Sequence, residues 1–132
     1  MKQYLLDTNT VSHLLRGQSL VVQRLEAVPM ASLRISAITE GELLFGLAKR
    51  PEATRLQQLV RAFLRRVEVL PWNSAVAATY GKTRALLVAQ GKVIAPLDLL
   101  IASHALCSGA VLVSNDQAFR QIDALVLEDW TI

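Results

Sequence analysis

The sequence predicts an α/β fold: a three-layer α/β/α sandwich with a mainly parallel central sheet of about five strands. Short apolar segments of strand length alternate along the chain with longer segments whose apolar residues recur at helical spacing. This alternation is typical of a parallel sheet covered by helices on both faces. The chain has 132 residues, of which 52% are hydrophobic, so it can bury a core of its own. We therefore expect a single domain over residues 1–132.

Glycine, proline and small polar residues mark the ends of the elements predicted for the first half of the chain. In order, these elements are a strand at 2–6, a helix from a cap at Asn9 or Thr10 to Arg16, a helix at 20–28, a strand at 33–38 and a helix from Thr39 to about Lys49. Gly17 follows the first helix, and Pro29 and Pro51 follow the other two. Neither glycine nor proline favours continuation of a helix, so these positions indicate where each one ends.

The second half of the chain has the clearest helical periodicity. Apolar residues between Leu56 and Val67 recur on one face of a helix. The later elements are a strand at 67–70, helices at 74–90 and Pro96–Ser108, a strand at 110–114, a helical turn at Gln117–Gln121 and a strand at 125–128. Pro96 suits a first helical turn, where its missing N–H is not needed. Apolar residues surround this helix on nearly all sides, which indicates that it is buried.

The charge balance permits a polyanionic partner without requiring one. The chain has 14 Lys and Arg residues against 11 Asp and Glu residues, a formal net charge of +3. Arginine predominates over lysine, and its planar guanidinium is the better bidentate ligand for phosphate. Four arginines share the polar face of one predicted helix: Arg55, Arg61, Arg65 and Arg66. This face is either a solvated surface or an RNA contact.

Cysteine content and hydrophobic segments argue for a protein of the reducing cytoplasm. Cys107 is the only cysteine, so one chain forms neither a disulfide framework nor a thiolate metal site. Only three apolar residues precede Asp7, which is too few for a signal peptide. The longest stretch without a charged residue, 99–115, contains polar residues and is short for a membrane span. We expect no membrane association.

Four acidic residues lie at the edges of predicted elements: Asp7, Glu42, Asp98 and Asp116. Asp7 ends an apolar strand, and Asp116 follows another apolar strand in the same way. Ligands of an open α/β sheet bind outside the carboxyl ends of its strands, so distant carboxylates can meet there. Two such charges ~4 Å apart repel by about 1 kcal/mol in water and roughly 4 kcal/mol near a protein surface. A divalent cation would relieve that repulsion.

Each acid also has a structural interpretation. Asp7 could cap a helix, although the hydroxyl and amide groups that follow it could do so instead. Glu42 has capping-box spacing from Thr39, which taken alone favours a cap. Asp98 falls in the first turn of a helix, where it interacts well with the helix dipole. Asp116 could form an Asx turn. Only the joint placement of the four at strand exits and helix starts favours a site.

The chemistry that a four-carboxylate site supports is metal-assisted hydrolysis, usually of phosphoesters. Oxygen-only ligands select Mg²⁺ or Mn²⁺ over zinc. His13 and His104 are the only histidines, and His104 shares a helix face with apolar residues that indicate a core position. The sequence has no phosphate loop and no Gly-rich dinucleotide motif. Trp72 and Trp130 are better explained by packing than by base stacking.

Other classes fit these acids less well. A haloacid-dehalogenase-like phosphatase needs a second aspartate two positions after the first, where this chain has Asn9. A receiver-like signalling module needs adjacent early acids and a central phosphoacceptor aspartate, yet no aspartate lies between Asp7 and Asp98. A non-catalytic binding scaffold remains open. A scaffold of this kind predicts that replacing the acids changes the stability of the protein and no other property.

Four segments of the chain each carry one of the acids, in order: Leu5-Leu6-Asp7-Thr8-Asn9, Ser36 to Gly46 with Glu42, Pro96 to Ala105 with Asp98, and Leu112-Val113-Ser114-Asn115-Asp116. These segments resemble the motifs of PIN-domain proteins, and most closely those of the VapC toxins of bacterial type II toxin–antitoxin modules. The ending Glu128-Asp129-Trp130 is also similar. The resemblance covers essentially the whole chain, and none of the four acidic positions is missing.

The resemblance implies a Mg²⁺- or Mn²⁺-dependent endoribonuclease that acts as a toxin. Asp7 and Asp98 would be the principal metal ligands, and Asp116 would complete the site. Glu42 would bind a second metal ion or hold a water molecule on the metal, while Ser114 could orient the site through its hydroxyl.

The resemblance also implies partners. They are an RNA substrate, possibly a transfer RNA, a second copy of the chain in a homodimer, and a VapB-type antitoxin. A basic side chain of the antitoxin would lie near the acidic site, where it could take the place of the metal. Operator DNA would be bound through the antitoxin.

Overall fold

A computed structural model describes the whole chain, Met1–Ile132, as a five-stranded sheet flanked by helices. All four strand pairings are parallel, and the strand order across the sheet is β3-β2-β1-β4-β5. The strands are β1 (Tyr4–Leu6), β2 (Leu33–Ser36), β3 (Glu68–Leu70), β4 (Val111–Val113) and β5 (Leu127–Glu128). The predicted α/β class and the parallel sheet of five strands are confirmed.

Six α-helices connect and cover the strands. They are α1 (Thr8–Leu15), α2 (Ser19–Glu26), α3 (Ala37–Lys49), α4 (Thr54–Arg66), α5 (Ser74–Ala89) and α6 (Pro96–Ser108). Two 3₁₀ segments, Met30–Ser32 and Gln117–Gln121, precede β2 and follow β4. No helix is both long enough and apolar enough to cross a membrane.

Two apolar cores lie on opposite faces of the sheet, because successive strand residues point to opposite sides. Leu6 of β1 belongs to the core beneath α1 to α4, together with Val11, Val21, Leu43 and Val60. Its neighbour Leu5 belongs to the core beneath α5 and α6, together with Leu87, Ile101, Ala105 and Phe119. Leu5 and Leu6 thus face the two outer layers of the sandwich, α5 and α6 on one side of the sheet and α1 to α4 on the other.

The central strand, β1, pairs with β2 on one side and with β4 on the other. Leu5 aligns with Arg34 of β2 and with Leu112 of β4. Because all three strands run the same way, they end at one edge of the sheet. The residues just beyond that edge are Asp7 after β1 and Ser114 after β4, while Ser36 ends β2. The order of the strands reverses between β1 and β4, which is where open α/β sheets bind ligands.

The starts of two helices differ from the prediction. Helix α1 begins at Thr8, because Asp7 rather than Asn9 or Thr10 is its N-cap. Strand β2 ends at Ser36 rather than at Ile38, because the Ser36 side chain accepts a hydrogen bond from the Ile38 amide and caps α3. Thr39 is therefore already inside the helix. In both cases several neighbouring residues could serve as a cap, and the one closest to the strand does.

Helix α6 spans the predicted residues, Pro96–Ser108, and ends at Gly109 in the left-handed conformation, with φ 68°. Burial is confined to its later turns, from Leu99 to Ala105. The first turn is open instead of being surrounded by the core, and Leu97 is 47% exposed. The start of α6 therefore projects beyond the sheet, which brings the first turn of the helix to the surface.

Candidate active site

Asp7 is held rigidly where β1 passes into α1. Its backbone N–H donates to the Val113 carbonyl of β4 over 3.1 Å, and its Oδ1 accepts from the Thr10 backbone N–H over 2.8 Å. The residue is buried, with 3% of its surface exposed. Burial is the main cause of a raised pKa at the Asp7 carboxyl; hydrogen bonds from Ser114 and Thr10 oppose it, and repulsion from Asp116 adds to it. Asp7 is thus a structural cap whose negative charge is poorly solvated.

The segment after β4 brings a second acid to the same edge. The buried Ser114 side chain makes a hydrogen bond with the Asp7 carboxyl and accepts one from the Asp116 backbone N–H over 3.0 Å. Asp116 in turn accepts from the Ala118 backbone N–H over 2.9 Å, which forms the expected turn into the 3₁₀ helix. The Ser114 hydroxyl therefore lies between the Asp7 carboxyl and the backbone of Asp116.

Glu42 reaches the site from α3, on the side of β1 that faces β2. Its Oε1 accepts a hydrogen bond of 2.6 Å from the Thr8 hydroxyl of α1. The capping box with Thr39 does not form, because Ser36 caps the helix and Thr39 lies in its first turn. Glu42 is therefore bound to another element of the fold instead of to the start of its own helix.

Asp98 lies in the open first turn of α6 and is half-buried. Burial is the main cause of a raised pKa at the Asp98 carboxyl. Repulsion from three carboxylates raises this pKa further, in the order Asp116, Asp7 and Glu42. Asp98 thus experiences the charge of all three other candidate residues. Asp98 is therefore repelled by the other three acids, and Asp7 is repelled by Asp116, although no three acidic, histidine or cysteine side chains form a preformed cation cage.

The four carboxylates have no cationic partner in the chain. The only two salt bridges join Lys2 to Glu128 and Arg34 to Glu68, outside the acidic cluster. Crowded and partly desolvated carboxylates need an opposite charge for compensation. An oxygen-only donor set suits hard cations such as Mg²⁺ and Mn²⁺. Asp7, Glu42, Asp98 and Asp116 could hold such an ion.

The two histidines differ in position. His104 is buried in α6 with 3% exposure, and its Nδ1 lies 2.7 Å from the Ser36 hydroxyl that caps α3. Burial lowers its pKa, so the ring is a neutral core group, as expected. His13 is half-buried on α1, and its Nε2 lies 3.4 Å from the Asn115 side-chain nitrogen beside Asp116. Neither histidine belongs to the acidic cluster.

One contact at this site could not be foreseen from local sequence patterns. Thr8 is the hydroxyl residue that directly follows the first acid, and the sequence presented it only as a possible cap. In the structure its hydroxyl contacts Glu42, 34 positions away. In the sequence, the only indication that Thr8 matters was its position beside Asp7, within a segment that resembles a motif of a known family.

The class of protein to which this sheet and its four acids belong follows from comparison of the sequence with known families. The sequence profile of the PIN domain matches residues 4–125. The chain belongs to the PIN-domain family, and the relatives below place it in the VapC branch of that family.

Two curated relatives span almost the full length of the chain. The tRNA(fMet)-specific endonuclease VapC of Shigella flexneri is 30% identical over 132 residues, covering 99% of this chain and 100% of the relative. Ribonuclease VapC2 of Haemophilus influenzae is 34% identical over 131 residues, covering 98% and 99%. These relatives carry the same branch name and match the chain from end to end.

Solved structures give the same result. The DNA-bound VapBC complex of Salmonella typhimurium superposes with a TM-score of 0.90 at 32% identity, covering 98% of this chain and 99% of the matched chain. VapBC2 of Rickettsia felis, bound to a promoter fragment, gives 0.88 at 32% identity and covers 96% and 98%. Both similarities span the whole sheet and its helices.

Proposed function

We propose that this protein is a Mg²⁺- or Mn²⁺-dependent endoribonuclease that acts as the toxin of a toxin–antitoxin module. One observation carries the proposal: three carboxylates from other elements repel the Asp98 carboxylate, and none of the four forms a salt bridge with a basic side chain of the chain. The names of the VapC relatives support the nuclease activity. We extend the single PIN domain to all of residues 1–132.

In the proposed mechanism, Asp7 and Asp98 would be the principal ligands of the cation, and Asp116 would complete the site. A divalent cation, when bound, stabilises the negative charge that develops on a phosphodiester during hydrolysis. The backbone N–H of Thr10 and the side chain of Ser114 fix the Asp7 carboxyl, so that it does not reorient when charge changes nearby. Glu42 would bind a second ion or hold a water molecule on the metal through Oε2, the carboxylate oxygen that makes no hydrogen bond within the chain.

The proposed substrate is RNA. Two relatives, from Shigella flexneri and Salmonella typhimurium, are named as tRNA(fMet)-specific endonucleases. Transfer RNA is therefore the first substrate class to test for this chain. A net charge of +3 with acids concentrated at the site leaves the rest of the surface more basic, which favours approach of a polyanion. Single-stranded loops suit such recognition, because their bases and backbone are accessible.

The proposed protein partners are a VapB-type antitoxin and a second copy of the chain. The similar solved structures include VapBC complexes, two of them bound to DNA. By analogy, the antitoxin would inhibit the nuclease and would carry the contacts with operator DNA. Sedimentation of the purified chain tests the homodimer: a mass near 29 kDa, about twice the 14.5 kDa of the chain, is expected.

The deciding experiment is cleavage of total cellular RNA by the purified chain with Mg²⁺, with Mn²⁺ and with EDTA. Asp7→Asn removes a site charge yet keeps a side chain that can cap α1. Asp123→Asn is the matched control, because Asp123 is an exposed acid outside the cluster. We expect discrete fragments from the unsubstituted protein and from Asp123→Asn, and none with EDTA or from Asp7→Asn. Equal cleavage by the folded Asp7→Asn variant contradicts the proposal.

A further inference from the structure

Thr8 donates the one hydrogen bond that the Glu42 carboxylate accepts from the chain. Its Oγ1 lies 2.6 Å from Glu42 Oε1, a short distance that is typical of a hydroxyl bound to a charged acceptor. The other carboxylate oxygen of Glu42, Oε2, makes no hydrogen bond within the chain. Glu42 is thus held by one oxygen and leaves the second one available to the site.

The direction of this hydrogen bond follows from the number of hydrogens. Thr8 has a single hydroxyl hydrogen, and an ionised carboxylate has none to offer. The hydrogen therefore lies on the short contact with Glu42. The Thr8 oxygen is also 3.3 Å from the hydroxyl oxygen of Thr39, which is fully buried in α3. Since the Thr8 hydrogen is already used, Thr39 is the donor in that longer contact.

Thr8 is well placed to control where Glu42 points. It is the first residue of α1 and directly follows Asp7, which is fixed by β4 and by the cap on α1. Glu42 is half-buried on a side chain with three rotatable bonds, so its carboxylate needs an external contact to settle in one orientation. The Thr8 hydroxyl supplies that contact from the rigid side of the site.

We propose that Thr8 is a positioning residue that orients the Glu42 carboxylate toward the divalent cation, an inference that rests on the proposed metal-dependent function. The Thr8 hydroxyl connects Glu42, an acid of α3, with the end of β1, where Asp7 lies. The orientation of Glu42 thereby depends on a residue beside Asp7, although the two acids are distant in sequence. Outer contacts of this kind typically change metal affinity or activity by about 10- to 100-fold when they are removed.

The test is Mn²⁺ binding to the full chain without RNA, measured by titration calorimetry. Thr8→Val keeps the branched shape and removes the hydroxyl, and we expect about 10- to 100-fold weaker binding. Thr8→Ser restores the hydroxyl and should bind Mn²⁺ close to the unsubstituted level. Thr83→Val is the matched control, because the Thr83 hydroxyl bonds only to the Thr79 carbonyl within α5.

A double-mutant comparison separates positioning from a general effect on folding. In a Glu42→Ala background, Thr8→Val should cause no further loss of Mn²⁺ affinity, because Thr8 acts through the missing carboxylate. Thermal unfolding in EDTA identifies any variant that has lost its fold. RNA cleavage by the unsubstituted chain, Thr8→Val, Thr8→Ser and Thr83→Val should follow their Mn²⁺ affinity.

The outcomes distinguish this inference from the proposed function. No Mn²⁺ binding by the unsubstituted chain overturns both. Normal binding by the unsubstituted chain together with unchanged binding by Thr8→Val overturns the role of Thr8 alone. The role of Thr8 is also overturned if Thr8→Ser binds Mn²⁺ as weakly as Thr8→Val does. It is overturned as well if Thr8→Val weakens Mn²⁺ binding by the same factor in the presence and absence of the Glu42 carboxylate.

Discussion

The Asp7 carboxylate accepts a 2.8 Å hydrogen bond from the Thr10 backbone N–H, so a residue of the acidic cluster is also the N-cap of the first helix. The structural interpretation of Asp7 as a helix cap is therefore confirmed, and its role in binding a cation stays a prediction. The cap has a direct consequence for the site, since it fixes the carboxylate that burial leaves poorly solvated. Substitutions at Asp7 must be chosen so that these two roles are separated.

Two substitutions at Asp7 should have different effects on stability. Asp7→Asn retains an oxygen that accepts from Thr10, whereas Asp7→Ala leaves that buried N–H unpaired and should lower the free energy of unfolding by about 1 kcal/mol relative to Asp7→Asn. Both should abolish RNA cleavage. Urea unfolding in EDTA measures the difference, and equal stability of the two variants argues against the cap.

Asp98→Asn should make the metal-free protein more stable while abolishing cleavage. Burial and three neighbouring carboxylates raise the pKa of Asp98, so its ionised form is disfavoured in the folded state. Removing this charge should add about 0.5–1 kcal/mol at neutral pH, after allowance for solvent screening. Thermal unfolding in EDTA measures the gain as a rise of a few degrees in Tm.

The pH dependence provides an independent check on Asp98. A raised pKa in the folded state means that the folded chain binds the proton more tightly than the unfolded chain. The contribution of Asp98 to stability therefore decreases as the pH rises from about 3.8 through the raised pKa. The free energy of unfolding of Asp98→Asn should therefore exceed that of the unsubstituted protein by an increasing amount over that pH interval. A constant difference between the two proteins contradicts the argument.

Divalent cations should stabilise the folded chain by mass action. A ligand that binds only the folded state at about 100 times its Kd adds about 2.7 kcal/mol to the free energy of unfolding. Addition of Mn²⁺ should therefore raise the Tm of the unsubstituted protein and of Asp123→Asn, but not that of Asp98→Asn. A Tm that responds equally in all three proteins would indicate binding outside the acidic cluster.

His104 should make stability fall in mild acid. Burial lowers its pKa in the folded state below the ordinary 6.5, so the unfolded chain binds the proton more readily. The stability contributed by the neutral ring is complete above pH 6.5 and is lost as the pH falls through the lowered pKa. Urea unfolding over this range should show a weaker pH dependence for His104→Gln than for the unsubstituted protein. A His104→Gln variant with the same pH dependence of stability as the unsubstituted chain contradicts this argument.

Much of the fold could be predicted because its signals are local. The Pro96–Ser108 helix has a proline at its start and a glycine after its end, and the structure has those same bounds. Gly17 and Pro29 likewise follow the ends of α1 and α2. The apolar strand segments 4–6 and 111–113 are short and are followed by the polar residues Asp7 and Ser114, and their alternation with helices predicted a mainly parallel sheet.

The incorrect predictions concern choices between neighbours and contacts across the fold. Several residues after β1 and β2 could cap a helix, and only the backbone path selects Asp7 and Ser36. Glu42 had good local spacing for a capping box with Thr39, yet a residue from another helix binds it. Local periodicity does not predict such long-range contacts. Family motifs indicate which residues matter, but not which of them contact one another.

The pairing of β1 with β4 joins the two ends of the chain, since Leu5 lies beside Leu112. During translation, the ribosome must therefore add most of the polypeptide before the central strand acquires its second neighbour. A chain that stops before Asp98 carries the first two acids but neither the last two nor the strand that supports them. We therefore expect the acidic cluster to be complete only once β4 and Asp116 have been synthesised.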